Sequence, residues 1–255
     1  MKTRRKIEPS PFNYKSVLSY DGTDFCGWQR QPDERTVQGV LEEALFKLTR
    51  KKITVDGAGR TDAGVHALGQ VAHFNTESRM DSGAFQRALN SLLPGDIVIR
   101  RAEEVQPDFH ARKNVTSKIY EYRILNRTTP PAVDRQYLWH VPQKLDLDDM
   151  KRATHSLVGE HDFSAFRSVG SSTHSSVRNI LRAGWKRGKG GLLRFEIEAS
   201  GFLKQMVRAI VGTLVEVGRG KVSAQEFKRI LDSKDRKEAG PTAPAQGLFL
   251  KEVRY

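Results

Sequence analysis

Cysteine is almost absent from this chain: Cys26 is the only one in 255 residues. No intrachain disulfide can form, which agrees with a reducing cytoplasm. Zinc sites built on two or more thiolates are excluded with it. Long apolar runs are missing too, and nothing approaches the ~20 residues of a membrane-spanning helix. Acid is scarce relative to base, with 30 Asp and Glu against 43 Lys and Arg, a net charge of +13. Such an excess attracts polyanions, of which nucleic acid is the commonest in a cell. The bases are dispersed in clusters, as at Arg50-Lys51-Lys52, Arg112-Lys113, Lys186-Arg187 and Lys234 to Lys237. That spread suits a folded surface that follows a phosphate backbone better than a detachable basic tail. The opening Met1-Lys2-Thr3-Arg4-Arg5-Lys6 is basic with no apolar stretch behind it, so it does not read as a secretory signal. Residues 1–13 are expected to form a solvated or RNA-touching extension.

Periodicity predicts a mixture of elements. Strands are expected at Ser16 to Tyr20, 52–57, Gln70 to Phe74, Ile97 to Arg101, Lys118 to Asn126, Val177 to Lys186, Leu192 to Ala199 and Gly247 to Val253. Helices are expected after Thr36, through Ala84 to Leu92, over Leu147 to Val158, along the stripe Leu203 to Val215, and after the capping box Ser223…Glu226. Strands and helices do not alternate strictly, which predicts an α+β fold with a mixed, largely antiparallel sheet and flanking helices. Each side of residue 112 holds a comparable set of elements. The expected organisation is therefore an α+β half over 14–112 and a second over 113–255. The stretches 168–176 and 232–246 have loop composition.

The chemistry concentrates in Gly57-Ala58-Gly59-Arg60-Thr61-Asp62-Ala63-Gly64-Val65-His66, directly after a predicted strand. Glycines there permit a tight backbone and close approach of a ligand. A dinucleotide loop would need glycine where Asp62 stands, and that carboxylate would repel a pyrophosphate. A phosphate loop would need Lys and Ser or Thr where Val65 and His66 stand. A metal reading would use Asp62, His66 and His73, without the helical His-Glu-x-x-His pattern. The bland reading is a glycine-rich turn whose Asp caps its neighbours.

The segment Gly59 to Ala67, followed by Gly69-Gln70-Val71 and Phe74, resembles the signature of the tRNA pseudouridine synthase A family. Five further blocks, in order, are similar to that family: Tyr20-Asp21-Gly22-Thr23 with Gly27 to Gln31, Thr36 to Gly39, Phe109 to Arg112 with Lys118 to Tyr122, Gly201 to Leu203 with Met206 to Gly212, and Thr242 to Ala245 with Gly247-Leu248. The resemblance implies the pseudouridine synthase fold, two similar halves around a basic cleft. It implies isomerisation of uridine to pseudouridine at positions 38, 39 and 40 of the anticodon stem-loop of tRNA, by a cytoplasmic homodimer that needs no cofactor and no metal. Asp62 would be the nucleophile. It could attack ribose C1′, take the 2′ proton or attack the uracil ring, and these routes stay open. Arg208 would pair with Asp62, and Tyr120 would stack on the extruded uracil while its hydroxyl helps remove the C5 proton. Arg60 would fill the gap left by the flipped nucleotide or hold its phosphate, and Leu248 would line the uracil pocket. Lys204-Gln205 and His110 depart from residues that some members carry, which puts fine RNA contacts in doubt. The competing readings are a family member with another target position, an RNA-binding protein without catalysis, and a metal-dependent hydrolase at Asp62, His66 and His73.

Overall fold

The computed structural model describes residues 12–168 and 175–255. Most of the expected extension over 1–13, and most of the loop over 168–176, lie outside the described residues. Among the described residues, ten strands form one sheet in the order β4-β1-β3-β10-β5-β9-β8-β7, with β2 on β3 and β6 on β5. The strands are β1 (Phe12–Tyr20), β2 (Asp56–Gly57), β3 (His66–Thr76), β4 (Ile97–Val105), β5 (Ser117–Asn126), β6 (Trp139–Val141), β7 (Gly159–Asp162), β8 (Val177–Arg187), β9 (Leu192–Ala199) and β10 (Leu248–Arg254). All pairings are antiparallel except β10 with β3 and β6 with β5. This is the α+β architecture that the mixed pattern predicts. The last strand inserts at the centre, between β3 of the first half and β5 of the second, so one sheet runs through both halves.

Among the described residues, five α-helices flank the sheet: α1 (Val37–Thr49), α2 (Ser82–Leu92), α3 (Leu147–His155), α4 (Met206–Gly218) and α5 (Ala224–Ser233). Their ends follow local chemistry. The Thr36 hydroxyl accepts from the Gly39 amide to start α1, and Arg50 takes a left-handed conformation to end it. Ser223 and Glu226 close the expected capping box on α5. Nearly every residue of α4 is buried, so it is a core helix and not an amphipathic surface one.

Segment 240–243 lies flat against α4. A Cβ at Gly212 would fall 1.7 Å from the Pro241 carbonyl oxygen, so only glycine permits this approach. The Thr213 hydroxyl accepts from the Gly240 amide at 3.0 Å, and the Ala243 amide donates to the Arg208 carbonyl at 3.1 Å. These contacts fix the chain just before β10 against the first turn of α4.

Several boundaries differ from the sequence reading. The strand expected over 52–57 shrinks to Asp56–Gly57. The Val55 amide and carbonyl are satisfied instead by side chains of α1, Glu42 and Gln38, at 3.1 and 3.0 Å. The apolar stripe that begins at Leu203 becomes helix only from Met206, because Gln205 sits at φ 59° and breaks the helical path before it. The helix expected to reach Val158 stops at His155, ahead of Gly159 at φ 103°. The short strands β6 and β7 carry too few residues to show a period.

Candidate active site

The Gly57–Val65 loop is held from below by the segment that follows β1. The Trp28 amide donates to the Thr61 carbonyl at 3.1 Å, and the Gly64 amide to the Phe25 carbonyl at 3.2 Å. Residue 27 must be glycine, since at φ 88° its Cβ would meet the Thr61 carbonyl oxygen at 2.6 Å. A Cβ on Gly22 would meet the Val65 carbonyl oxygen at 2.1 Å. Two chain segments therefore pack backbone against backbone. At the tip, the Val65 amide closes a turn onto the Asp62 carbonyl at 3.1 Å, with Gly64 at φ 75°.

Thr61 is buried, and its hydroxyl bonds the Tyr20 hydroxyl at 2.8 Å. Burial pushes the Tyr20 phenol up to about 12, so it stays neutral beneath the loop. Asp62 is thus the half-exposed residue next to an anchored one. Its carboxylate Oδ2 accepts from Arg208 Nη1 at 3.1 Å, across 146 residues of sequence. Arg208 stands in the first turn of α4, where its Nε also donates to the Ala243 carbonyl at 2.8 Å. Two contacts at different points of one planar guanidinium fix its direction, and so the direction of the carboxylate it holds.

Tyr120 lies on β5, buried, with its ring edge-on to Phe202 at 5.0 Å. Burial raises its hydroxyl well above the ordinary phenol value, with the charges of Tyr20 and Asp62 adding to the effect. The hydroxyl therefore keeps its proton, within electrostatic reach of Asp62. Leu248 opens β10, buried and in register with Tyr122, two strand positions from the Leu250–Tyr120 pair. Arg60 is exposed and has no ion-pair partner among the described residues. Asp62, Arg208 and Tyr120 are thus brought together, Leu248 sits in the adjoining core, and Arg60 reaches solvent beside them.

The metal reading with Asp62, His66 and His73 does not survive. Among the described residues the one grouping with ligand geometry is Asp56, His73 and His110, with ligand atoms within 4.8 Å of one another. There His73 Nδ1 accepts from the Ala111 amide at 3.3 Å and His110 Nδ1 from the Arg112 amide at 3.1 Å, which ties segment 110–112 to β3. His66 is a bracing residue instead. Its Nδ1 accepts from the Gly22 amide at 2.9 Å, its Nε2 bonds the Gln136 carbonyl at 3.0 Å, and its ring stacks on Phe249 at 4.7 Å.

Burial lowers His66 below its usual 6.5, with the Asp21 carboxylate pulling the other way. The native chain then binds fewer protons than the unfolded one between the lowered value and 6.5. Stability is full above 6.5 and is lost as pH falls through that window. Melting temperature measured from pH 8 to 5 is expected to decline below about 6.5, and less steeply in His66→Gln. Parallel declines in the two proteins would show that His66 is not the group responsible.

A family model described as tRNA pseudouridine synthase matches residues 17–112 and 153–255. The chain belongs to the tRNA pseudouridine synthase family. It is 50% identical over 243 residues to tRNA pseudouridine synthase A of Acetivibrio thermocellus, across 95% of this chain and 99% of that protein. It is 46% identical to tRNA pseudouridine synthase A 2 of Clostridium perfringens over the same shares. A solved Cbf5-Nop10-Gar1 complex aligns at 11% identity and a TM-score of 0.33, over 79% of this chain and 54% of that one, too remote to carry an argument.

Sequence reading alone did not reach Thr61 and Tyr20 as the loop's anchor, Ala243 as the second contact of Arg208, or His66 as a brace. The only signal for Ala243 was its place in the closing block of the resemblance. A main-chain acceptor leaves no mark on residue type.

Proposed function

We propose that this enzyme converts uridine to pseudouridine at positions 38, 39 and 40 of the tRNA anticodon stem-loop, with Asp62 as nucleophile. The observation that carries this reading is the Asp62 carboxylate, aimed by Arg208 on a rigid loop, with the Tyr120 hydroxyl beside it. In the reaction the C1′–N1 bond breaks, the uracil turns over, C1′ bonds to C5, the C5 proton leaves and N1 gains one. No electrons enter or leave, so no redox partner is needed. Asp62 can begin this by attack on C1′, by removing the 2′ proton or by attack on the ring.

The base must leave its stack first, at a cost of a few kcal/mol. Arg60, exposed and unpaired among the described residues, is suited to occupy the vacated space or take the phosphate. The Tyr120 ring supplies a face for the uracil and Leu248 an apolar wall. Burial favours the protonated Tyr120 phenol, so its hydroxyl enters the reaction as a neutral group. Tyr120→Phe is accordingly expected to keep tRNA affinity within about threefold while kcat drops about tenfold to a hundredfold. A phenylalanine variant with unchanged kcat would remove the hydroxyl from the mechanism. The excess of base over acid suits shape-based reading of a stem-loop. The cytoplasmic homodimer implied by the resemblance belongs to the same proposal.

The direct test of position uses unmodified transcripts with uridine at 38, 39 or 40 in turn, mapped by chemical derivatisation and reverse-transcriptase stops. Stops at all three positions are expected. Modification confined to another arm of the tRNA would move the target site.

A further inference from the structure

Among the titratable groups outside the site, Lys118 stands apart. It is the second residue of β5, two before Tyr120, so the two side chains share one face of the sheet. Its ammonium lies over Gly59, where a Cβ would be only 3.1 Å from Nζ. It is half-buried, and this burial together with the nearby Arg112 charge lowers it to about 8. Among the described residues nothing accepts from it or pairs with it. Other lysines drawn onto the sheet are neutralised. Lys15 meets Glu103 at 3.0 Å, and Lys251 meets Glu196 and Glu121. A half-buried ammonium with a second cation beside it and no acid costs stability unless an anion arrives.

We propose that Lys118, with Arg112, forms a binding site for a backbone phosphate next to the target uridine, reached over Gly59. The inference rests on the functional reading above and deepens it. Gly59 is three residues from Asp62, at most about 11 Å of extended chain. A phosphate seated there belongs to the nucleotide being extruded or to its neighbour. A side chain at position 59 would stand 3.1 Å from the ammonium, which would have to shift by a few tenths of an ångström. Lys118 is on this account a positioning residue: it places the ribose against Asp62 and takes no part in bond exchange.

The test compares wild type with Lys118→Met and Lys118→Arg by tRNA affinity across salt concentrations and by melting temperature. Lys118→Met is expected to weaken binding about tenfold at low salt and to reduce the slope of log affinity against log salt by about one. It is also expected to melt higher than wild type, since it removes an uncompensated charge; Lys118→Arg is expected to restore most of the affinity and the slope. Wild-type affinity and slope in Lys118→Met would overturn the inference, as would a fall in melting temperature alongside the lost affinity. Inorganic phosphate at constant ionic strength separates the sources. If it weakens wild-type and Lys118→Met binding equally, the ion competes elsewhere on the surface and the inference fails. Turnover by wild type on the same transcript tests the underlying reading separately: turnover with unaltered Lys118→Met binding sinks only the Lys118 site, and absence of turnover sinks the reading itself.

Discussion

Replacing Asp62 by asparagine is expected to lower single-turnover pseudouridine formation by about 10⁴-fold or more, equivalent to some 5 kcal/mol of barrier. The change is small in shape. Asparagine keeps the volume, and its carbonyl oxygen can still accept from Arg208 Nη1. The Thr61–Tyr20 hydrogen bond and the amide bonds of Trp28 and Gly64 that hold the loop are untouched. Folding and tRNA affinity should therefore stay near wild type while the nucleophilic charge is gone. Melting temperature and filter binding supply those controls. A variant that binds and still turns over within tenfold of wild type would take the role away from Asp62.

Arg208→Lys is expected to cost about a hundredfold to a thousandfold in kcat, although charge is kept. The guanidinium makes two contacts at once, Nε to the Ala243 carbonyl and Nη1 to the Asp62 carboxylate. One ammonium on a flexible stem cannot reproduce both with fixed direction. The Ala243 carbonyl then loses its partner and Asp62 its orientation. The expected signature is a loss in kcat with a smaller change in KM, measured by steady-state kinetics on a transcript. Equal losses in a variant that keeps both contacts would point to folding and not to aim.

The parts of this molecule visible in sequence are those that repeat with a period or carry an unusual residue type. The α4 stripe from Met206 to Val215, the capping box at Ser223 and the alternation in β9 are of the first kind. Asp62 between Gly59 and Gly64 is of the second. Arg208 was legible through the resemblance, which implied its pairing with Asp62, and the two side chains form that ion pair at 3.1 Å. What could not be read depends on pairing at long range. The insertion of β10 between β3 and β5, parallel to the first and antiparallel to the second, has no local cue, since a strand does not encode its neighbour. The shortening of the 52–57 strand follows from side chains of α1 taking its backbone bonds. The Gly212 approach to Pro241, which seats Ala243 for Arg208, joins two segments whose proximity only the folded chain supplies. The division at residue 112 remains a proposal about organisation, because the single sheet crosses it.

The central claim is that Asp62, aimed by Arg208, initiates exchange of the C1′–N1 bond for a C1′–C5 bond in tRNA. Tritium at uridine C5 is released to water only when that exchange is completed. A transcript labelled at C5 would be incubated with wild type and with Asp62→Asn, in the presence of a metal chelator and with no cofactor. The account predicts stoichiometric release by wild type from the uridines at 38 to 40 and none above background by the variant. Release by the variant at the wild-type rate, or bound tRNA with no release by wild type, would contradict it.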